Sequence, residues 1–175
     1  ADELAPVIDV VISAFPNVTV TQPLSGSTVI HGSTITVTVD ATDDNWLEYL
    51  ELFGNGDYLG SEWGGNPAPY LFPVVVPGEV VSLTLSAVAY DGDGNVMASA
   101  PVVLNAVPDP LTTVTGRVLD PNGQPVAGAS VIATGDRAAA TALDGRFTIT
   151  DVPTILGNVG VLARAPQDGL VLNAR

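Results

Sequence analysis

The sequence predicts an all-β protein built from two β-sandwich domains in series. Apolar residues recur at every second position over short segments, which is the period of half-buried strands. Turn-forming clusters such as GNGD at Gly54 and DGDGN at Asp91 separate these segments. The charge is also divided, because residues 1–110 contain fourteen Asp and Glu but no Lys or Arg, whereas residues 111–175 contain five acids and five Arg. Such a partition is typical of two modules with different surfaces.

The alternating segments predict the individual strands. Residues 34–41 read TITVTVDA and residues 81–90 read VSLTLSAVAY, and both alternate between apolar and polar positions. Residues 46–53, WLEYLELF, are ambiguous because part of their apolar spacing fits a helix. Leu50 and Leu52 followed by a GNG turn fit a strand with a bulge before it, and we favour the strand.

The boundary between the two modules is predicted at VPDPLTT, residues 107–113. Its two prolines favour a short, semi-rigid linker, and the change in charge falls at the same place. We therefore assign residues 16–107 to the first sandwich, 108–112 to the linker and 113–175 to the second sandwich.

Composition argues against several function classes. The chain has no cysteine and one histidine, His31, so a disulfide or a conventional zinc site is excluded. An acidic surface disfavours nucleic acid and anionic membranes as partners. No apolar run reaches the roughly 18 residues of a membrane-spanning helix, and no GxSxG or Walker segment is present. We therefore predict neither membrane insertion nor an enzyme.

Four segments of the first module carry a family resemblance. They are VTVTQPLSGSTVIHGSTITVTVDATDD, LELFGNGDYLG, APYLFPVVVP and LTLSAVAYDGDGN. In this order they resemble bacterial immunoglobulin-like repeats over residues 17–107. The resemblance implies a seven-stranded sandwich with a spacer or adhesion role.

The second module contains TGRVLDPNGQPVAGASV and TALDGRFTITDVP. Asn122-Gly123 is expected to close a tight hairpin, and Asp144-Gly145 a second turn that leads to Phe147, a predicted core residue. These segments resemble the carboxypeptidase-regulatory-like domain over about residues 112–175. The resemblance implies a small transthyretin-like sandwich that acts as a non-catalytic accessory module in secreted and surface proteins.

The family has a further strand after the region that matches GLVLNAR, so the resemblance implies a second sandwich that lacks its last strand. Residues 1–15, which contain APVIDVVISAF, resemble that strand. Immunoglobulin-like sandwiches place their ends at opposite poles, about 40 Å apart, so we expect residues 1–15 to pair with a neighbouring copy or an adjacent repeat, head to tail. The alternatives are a flexible tail and an extra strand on the first sandwich. The predicted interface residues are Val7, Ile8, Val10, Ile12 and Ala14.

Acidic residues in two loops of the first module form a candidate calcium site. Asp91, Asp93 and Asn95 have the i, i+2, i+4 spacing of calcium loops. Asp43 and Asp44 follow a strand that is expected to end at the same pole. The match is partial, because no Glu stands at the last position of an EF-hand loop. The alternative is that Asp-Gly and Gly-Asn form turns without a metal.

Aromatic residues suggest a second ligand class. Exposed rings can bind sugars, so Trp46, Tyr58 and Trp63 are candidate sugar-binding residues. The alternative is that one Trp fills the sandwich core and the other rings cover a surface.

Together these observations predict a non-catalytic structural repeat or subunit of a bacterial fibre or adhesin, located outside the cell or at its surface. Its expected partners are neighbouring copies or adjacent repeats, and a glycan or host surface. The alternative function is a carbohydrate- or receptor-binding accessory module of a larger secreted protein.

Overall fold

A computed structural model describes residues 12–65, 69–165 and 171–173. The chain divides into unit 1 (Ala1–Val107) and unit 2 (Pro108–Arg175). Almost all regular structure in the described ranges is strand, and the one helix there is a single 3₁₀ turn at Thr154–Leu156. The prediction of an all-β fold is confirmed.

None of the helical structure in these ranges is long and apolar enough to cross a membrane.

Nine strands occur in the described part of unit 1, and they form two sheets. One sheet has the order β1-β3-β6 and the other β2-β9-β7-β4-β5, with β8 paired to the end of β7. Within the larger sheet β2 runs parallel to β9, and the other pairs are antiparallel. Two facing sheets with this order form an immunoglobulin-like sandwich. The strands are β1 (Asn17–Gln22), β2 (Thr28–Ile30), β3 (Thr34–Thr42), β4 (Leu47–Gly54), β5 (Asp57–Trp63), β6 (Tyr70–Val75), β7 (Ser82–Asp91), β8 (Val96–Ala98) and β9 (Val102–Val107).

The core of unit 1 follows from the alternation in its sequence. Val37 and Val39 of β3 are fully buried, and every second residue of β7 is buried as well. Leu50 and Leu52 of β4, which pair with buried residues of β7, are also fully buried. The strand prediction for WLEYLELF is confirmed, because β4 pairs with β5 and β7 and its register to β7 shifts between Leu47 and Tyr49. That shift is the predicted bulge.

The expectation that a Trp fills this core is wrong. Trp46 and Trp63 are 58% and 78% exposed. Trp46 lies in the loop before β4, and Trp63 is the last residue of the edge strand β5, so neither side chain reaches the space between the sheets. Leucine, valine and alanine side chains, with Phe72, fill that space.

Six strands occur in the described part of unit 2. They form a two-stranded sheet, β10-β13, and a four-stranded sheet, β12-β11-β14-β15, with antiparallel pairing throughout. The buried core is small and consists mainly of valine and alanine. The strands are β10 (Thr112–Arg117), β11 (Ser130–Ala133), β12 (Arg137–Ala140), β13 (Arg146–Val152), β14 (Val161–Arg164) and β15 (Val171–Asn173).

Two turns of unit 2 are fixed by their own residues. The Asp120 carboxylate accepts hydrogen bonds from the backbone N–H groups of Asn122 (2.9 Å) and Gln124 (2.7 Å), which closes the first predicted turn. In the second turn Gly145 has a φ of 77°, and a Cβ there would lie 2.6 Å from the carbonyl oxygen of Val118. This position therefore requires glycine.

Asp109 fixes the end of the predicted linker to unit 2. Its carboxylate accepts hydrogen bonds from the hydroxyl and N–H of Thr154 and from the N–H groups of Leu111 and Ile155. Burial alone would raise the pKa of Asp109, but these hydrogen bonds outweigh it and lower the pKa below its ordinary value. The linker residues next to β10 are therefore held in one conformation.

Candidate functional site

The loops that follow β3 and β7 lie together at one pole of unit 1. The Gly92 N–H donates to the carbonyl of Trp46 (2.9 Å), and Asn45 Nδ2 donates to Asp93 Oδ2 (3.2 Å). The two acidic loops were predicted to lie at one pole, whereas Asn45, whose side chain links them, was not among the predicted site residues. Its polar side chain directly before Trp46 was the available signal.

Asp91 determines the conformation of the DGDGN loop. It is only 1% exposed. Its Oδ1 accepts the N–H groups of Asp93 (3.0 Å) and Asn95 (2.7 Å), and its Oδ2 accepts Asn95 Nδ2 (2.7 Å). Burial alone would raise the pKa of Asp91, but these hydrogen bonds outweigh it and lower the pKa. Both oxygens of the Asp91 carboxylate thus accept hydrogen bonds from residues of the same turn.

The other acidic candidates are placed differently. Asp43 Oδ1 accepts the N–H groups of Asn45 (3.0 Å) and Trp46 (3.1 Å), while its Oδ2 is buried and has no hydrogen-bond partner. Asp44 is exposed. Across the described ranges no three Asp, Glu, His or Cys side chains are placed to share a metal ion. Calcium binding stays a prediction.

The segment before β1 contacts the same loop. Ser13 Oγ donates to Asp93 Oδ2 (2.8 Å), and Asn95 Nδ2 donates to the Ala14 carbonyl (3.1 Å). Of the predicted interface residues, Ile12 and Ala14 are exposed and lie outside any strand. Val7, Ile8 and Val10 lie outside the described residues. Ser13 was not among the predicted residues, although it is the one polar residue in the segment VVISAF.

A row of aromatic rings crosses the outer face of β4, β5 and β7. The ring of Tyr49 stacks on that of Tyr90, with centroids 4.3 Å apart and planes at 13°. Towards β5, the ring of Trp63 meets that of Tyr49 at a centroid distance of 6.1 Å and an angle of 63°. The register Trp63–Tyr49–Tyr90 places these residues at one level of the sheet.

A cavity of about 190 Å³ lies beside this row, lined by Tyr49, Ser61, Glu62 and Trp63, and we call it the aromatic corner. Glu51, the cross-strand partner of Ser61, accepts a hydrogen bond from the Tyr90 hydroxyl at Oε2 (3.0 Å). This hydrogen bond, together with burial and the negative charge of Glu51, raises the pKa of Tyr90. The aromatic corner therefore places the exposed indole of Trp63 on the same face of the sheet as the Glu51 carboxylate.

The three candidate sugar-binding residues do not form one cluster, because Trp46 lies apart and packs against Gly92. Tyr58 packs against Phe53 and donates its hydroxyl to Ser61 Oγ (2.9 Å), which lines the aromatic corner together with Trp63. Sugar binding by this set stays a prediction. His31, the single histidine, is half-buried, and its Nε2 is hydrogen-bonded to the Val80 carbonyl (2.8 Å).

In unit 2, the edge of β10 is open. β10 pairs with β13 on one side, and no strand of the described chain pairs with its other side. Val114 on β10 and Phe147 on β13 are half-buried and pack against the core. A surface depression of about 440 Å³ lies here, lined by residues 115–117 and 146–148.

Residues 113–168 match the family model of the carboxypeptidase regulatory-like domain. A comparison with curated proteins found no match.

Several solved structures resemble the chain loosely. The fibronectin(III)-like modules of Clostridium thermocellum CbhA are 21% identical, with a TM-score of 0.45, 51% of this chain covered and 94% of that one. The D00-D0 domain of intimin is 18% identical, with a TM-score of 0.37 and coverage of 92% and 97%. A variant of the SrpA adhesin from Streptococcus sanguinis is 19% identical, with a TM-score of 0.40 and coverage of 81% and 95%.

Within the matched part of unit 2, Phe147 lies at the rim of the core and not at its centre. The reason is its cross-strand partner, Gly116, whose missing side chain leaves room for the ring. A Cβ at Gly116 would lie 2.5 Å from Phe147 Cζ. The ring therefore covers the β10 backbone and forms one wall of the depression beside the open edge.

Proposed function

We propose that this chain is a non-catalytic structural module of an extracellular bacterial fibre or adhesin, in which a strand from a neighbouring copy completes the carboxypeptidase regulatory-like domain. The observation that supports the proposal best is the open edge of β10 next to the half-buried side chains of Val114 and Phe147. An unpaired edge exposes a row of N–H and C=O groups that a further strand can pair with. The same strand would cover the rim of the core.

Residues 7–12 have the pattern that this edge requires. Ile8, Val10 and Ile12 fall on one face of an extended segment, whereas the opposite face includes Asp9. The segment has the same length as β10, which contains six residues. An apolar face would pack on the rim of the core while Asp9 stays in solvent.

The geometry of unit 1 supports donation to another copy. Ser13 contacts the loop after β7, whereas Ala106, at the end of β9, donates a hydrogen bond to Val81, just before β7 begins. β7 contains ten residues, so these two ends lie about 30 Å apart. Residues 7–12 can extend only about 20 Å from Ser13. Ser13 therefore lies at the pole of unit 1 opposite to the end of β9.

A deletion tests the proposal. Removing residues 1–11 leaves the contacts of Ser13 and Ala14 in place, and it should abolish concentration-dependent assembly in light scattering and filaments in electron micrographs. A synthetic peptide of residues 7–14 should then raise the melting temperature of unit 2, because a ligand that binds the folded state stabilises it. Unchanged assembly after the deletion, with no effect of the peptide, would refute strand donation.

Two single variants of the peptide provide the matched control. Val10→Asp places a charge on the face that should meet the core, and we expect no binding. Val11→Asp places the same charge on the opposite face, and we expect binding to persist. Equal behaviour of the two variants would show that the peptide binds without strand geometry.

A further inference from the structure

We propose that the aromatic corner of unit 1 binds a guanidinium group, as presented by an arginine side chain of a partner. The inference is independent of strand donation, because it concerns the outer face of the other unit. Its elements are one open indole face, a neighbouring hydroxyl and an acidic surface without a cation of its own.

Ring geometry determines the shape of the ligand. Tyr49 and Tyr90 lie nearly parallel, so each covers a face of the other. Trp63 stands at 63° to Tyr49 and is 78% exposed, so its indole is the ring that offers a free face. The row is therefore not a flat platform for a long sugar chain. It accommodates one planar group against Trp63, and guanidinium groups stack on aromatic faces in this way.

Charge determines the sign of the ligand. Glu51 lies on this outer face, opposite Ser61. Glu62 also lines the corner, but it is paired with the fully buried Leu50, so its side chain starts from the other face of β5. The strands β4, β5 and β7 contain five acidic residues and no Lys, Arg or His. A guanidinium would meet aromatic and carboxylate groups together, whereas an anion would be repelled.

Unit 1 cannot supply this cation itself, because residues 1–110 contain no Lys or Arg. All five arginines of the chain lie in residues 111–175. Among them Arg117 and Arg146 are exposed and paired across β10 and β13. A second copy of this chain is the partner that supplies the arginine, and dependence on protein concentration distinguishes it from the chain's own unit 2.

The experiment is an NMR titration of the whole chain with N-acetylarginine amide at constant ionic strength. The two tryptophans give two indole N–H resonances, which Trp46→Phe and Trp63→Phe assign. We expect a saturable shift of the Trp63 indole and of the Ser61 and Glu62 amides. Trp46, which is also exposed, serves as the matched control and should not respond.

Variants and neutral analogues decide the chemistry. Glu51→Gln, which removes the carboxylate on the outer face, should weaken binding about two- to five-fold, the range for a charge pair at the surface. Trp63→Ala should abolish the shifts at Ser61 and Glu62 while the melting temperature of unit 1 stays unchanged. N-acetylcitrulline amide, which has the same shape without the charge, should not bind.

Four results would overturn the proposal. They are equal binding of the citrulline analogue, equal binding of tetramethylammonium, an equal response of Trp46, and a Trp63 shift caused by maltotetraose but not by arginine. The last result would assign the corner to neutral sugars. Whether a second copy supplies the arginine is tested on the protein alone, without added ligand. A second copy is indicated by a Trp63 shift that depends on protein concentration and disappears in the double variant Arg117→Gln with Arg146→Gln.

Discussion

Gly116→Ala should destabilise unit 2 in the natural sequence and stabilise it when Phe147 is also replaced by alanine. The reversal follows from one contact. An alanine Cβ at position 116 would lie 2.5 Å from Cζ and 2.6 Å from Cε1 of Phe147, which is closer than real Cβ contacts. The ring must therefore move away from the core that it covers.

The magnitude follows from two opposing effects. Forcing an extra carbon against a packed ring costs about 1–3 kcal/mol. With Phe147→Ala the ring is absent, and what remains is the preference of a strand for alanine over glycine, about 0.5–1 kcal/mol. Because the preference for alanine is present with and without the ring, the coupling between the two sites equals the steric cost, about 1–3 kcal/mol. For a unit of this size, 1 kcal/mol corresponds to about 4–8 °C in melting temperature.

Differential scanning calorimetry of the four members of this cycle measures the coupling, with Phe147→Leu as a milder second variant. Both tryptophans lie in unit 1, whereas Phe147 is the single aromatic residue of 108–175. Tryptophan fluorescence therefore reports unit 1 alone, and its midpoint should stay constant. An effect of Gly116→Ala with the same sign in both backgrounds would refute the contact as its cause, and a shifted fluorescence midpoint would refute its local nature.

Three further predictions concern the turns. Gly145→Ala should cost clearly more stability than Gly123→Ala in thermal melts: both glycines have positive φ, but a Cβ at 145 meets a carbonyl whereas a Cβ at 123 meets open space. Hydrogen bonds lower the pKa of Asp91 and Asp109 in the folded state. The stability that these carboxylates contribute is therefore complete above an unfolded-state pKa of about 3.9 and is lost as the pH falls below it. Asp109→Asn should lower the melting temperature of unit 2 near neutral pH and flatten its decline in acid. For the predicted calcium loop, millimolar calcium should raise the melting temperature of unit 1, and chelator or Asp93→Ala should remove the rise; no rise would leave the loop as a turn alone.

The strands could be predicted because a period of two directly reports which face is buried. In 83–89 every second side chain is apolar, and those are residues that β7 buries, whereas Val81, just before the strand, is 87% exposed. WLEYLELF was harder because both faces carry apolar side chains. Leu50 and Leu52 are fully buried, while Tyr49 and Phe53 pack on the outer face. A bulge at the start of the strand further obscured the period.

The aromatic corner could not be predicted in the same way. Alternation places Tyr49 and Tyr90 on outward faces, but their contact depends on the register between strands far apart in sequence. The shift between Leu47 and Tyr49 sets that register, and its size is not visible in either segment alone. The contact of Ser13 with Asp93 has the same origin, since eighty positions separate the two residues.

The acidic residues show why the charge partition and the loop acids need separate explanations. Five aspartates accept a hydrogen bond from the backbone N–H two residues later, which is a turn that Asp forms by itself. These turns occur in both units, in the acidic one and in the neutral one, so they cannot be the cause of the asymmetry. The asymmetry arises instead from the absence of Lys and Arg in residues 1–110 and from carboxylates on outward strand positions such as Glu51. Glu51 accepts a hydrogen bond from another strand, at the Tyr90 hydroxyl, whereas a turn aspartate is occupied by its own backbone. The charge of unit 1 therefore lies partly on its sheet surface, which is where the proposed binding of arginine would use it. The five turn aspartates are Asp43, Asp91, Asp109, Asp120 and Asp144.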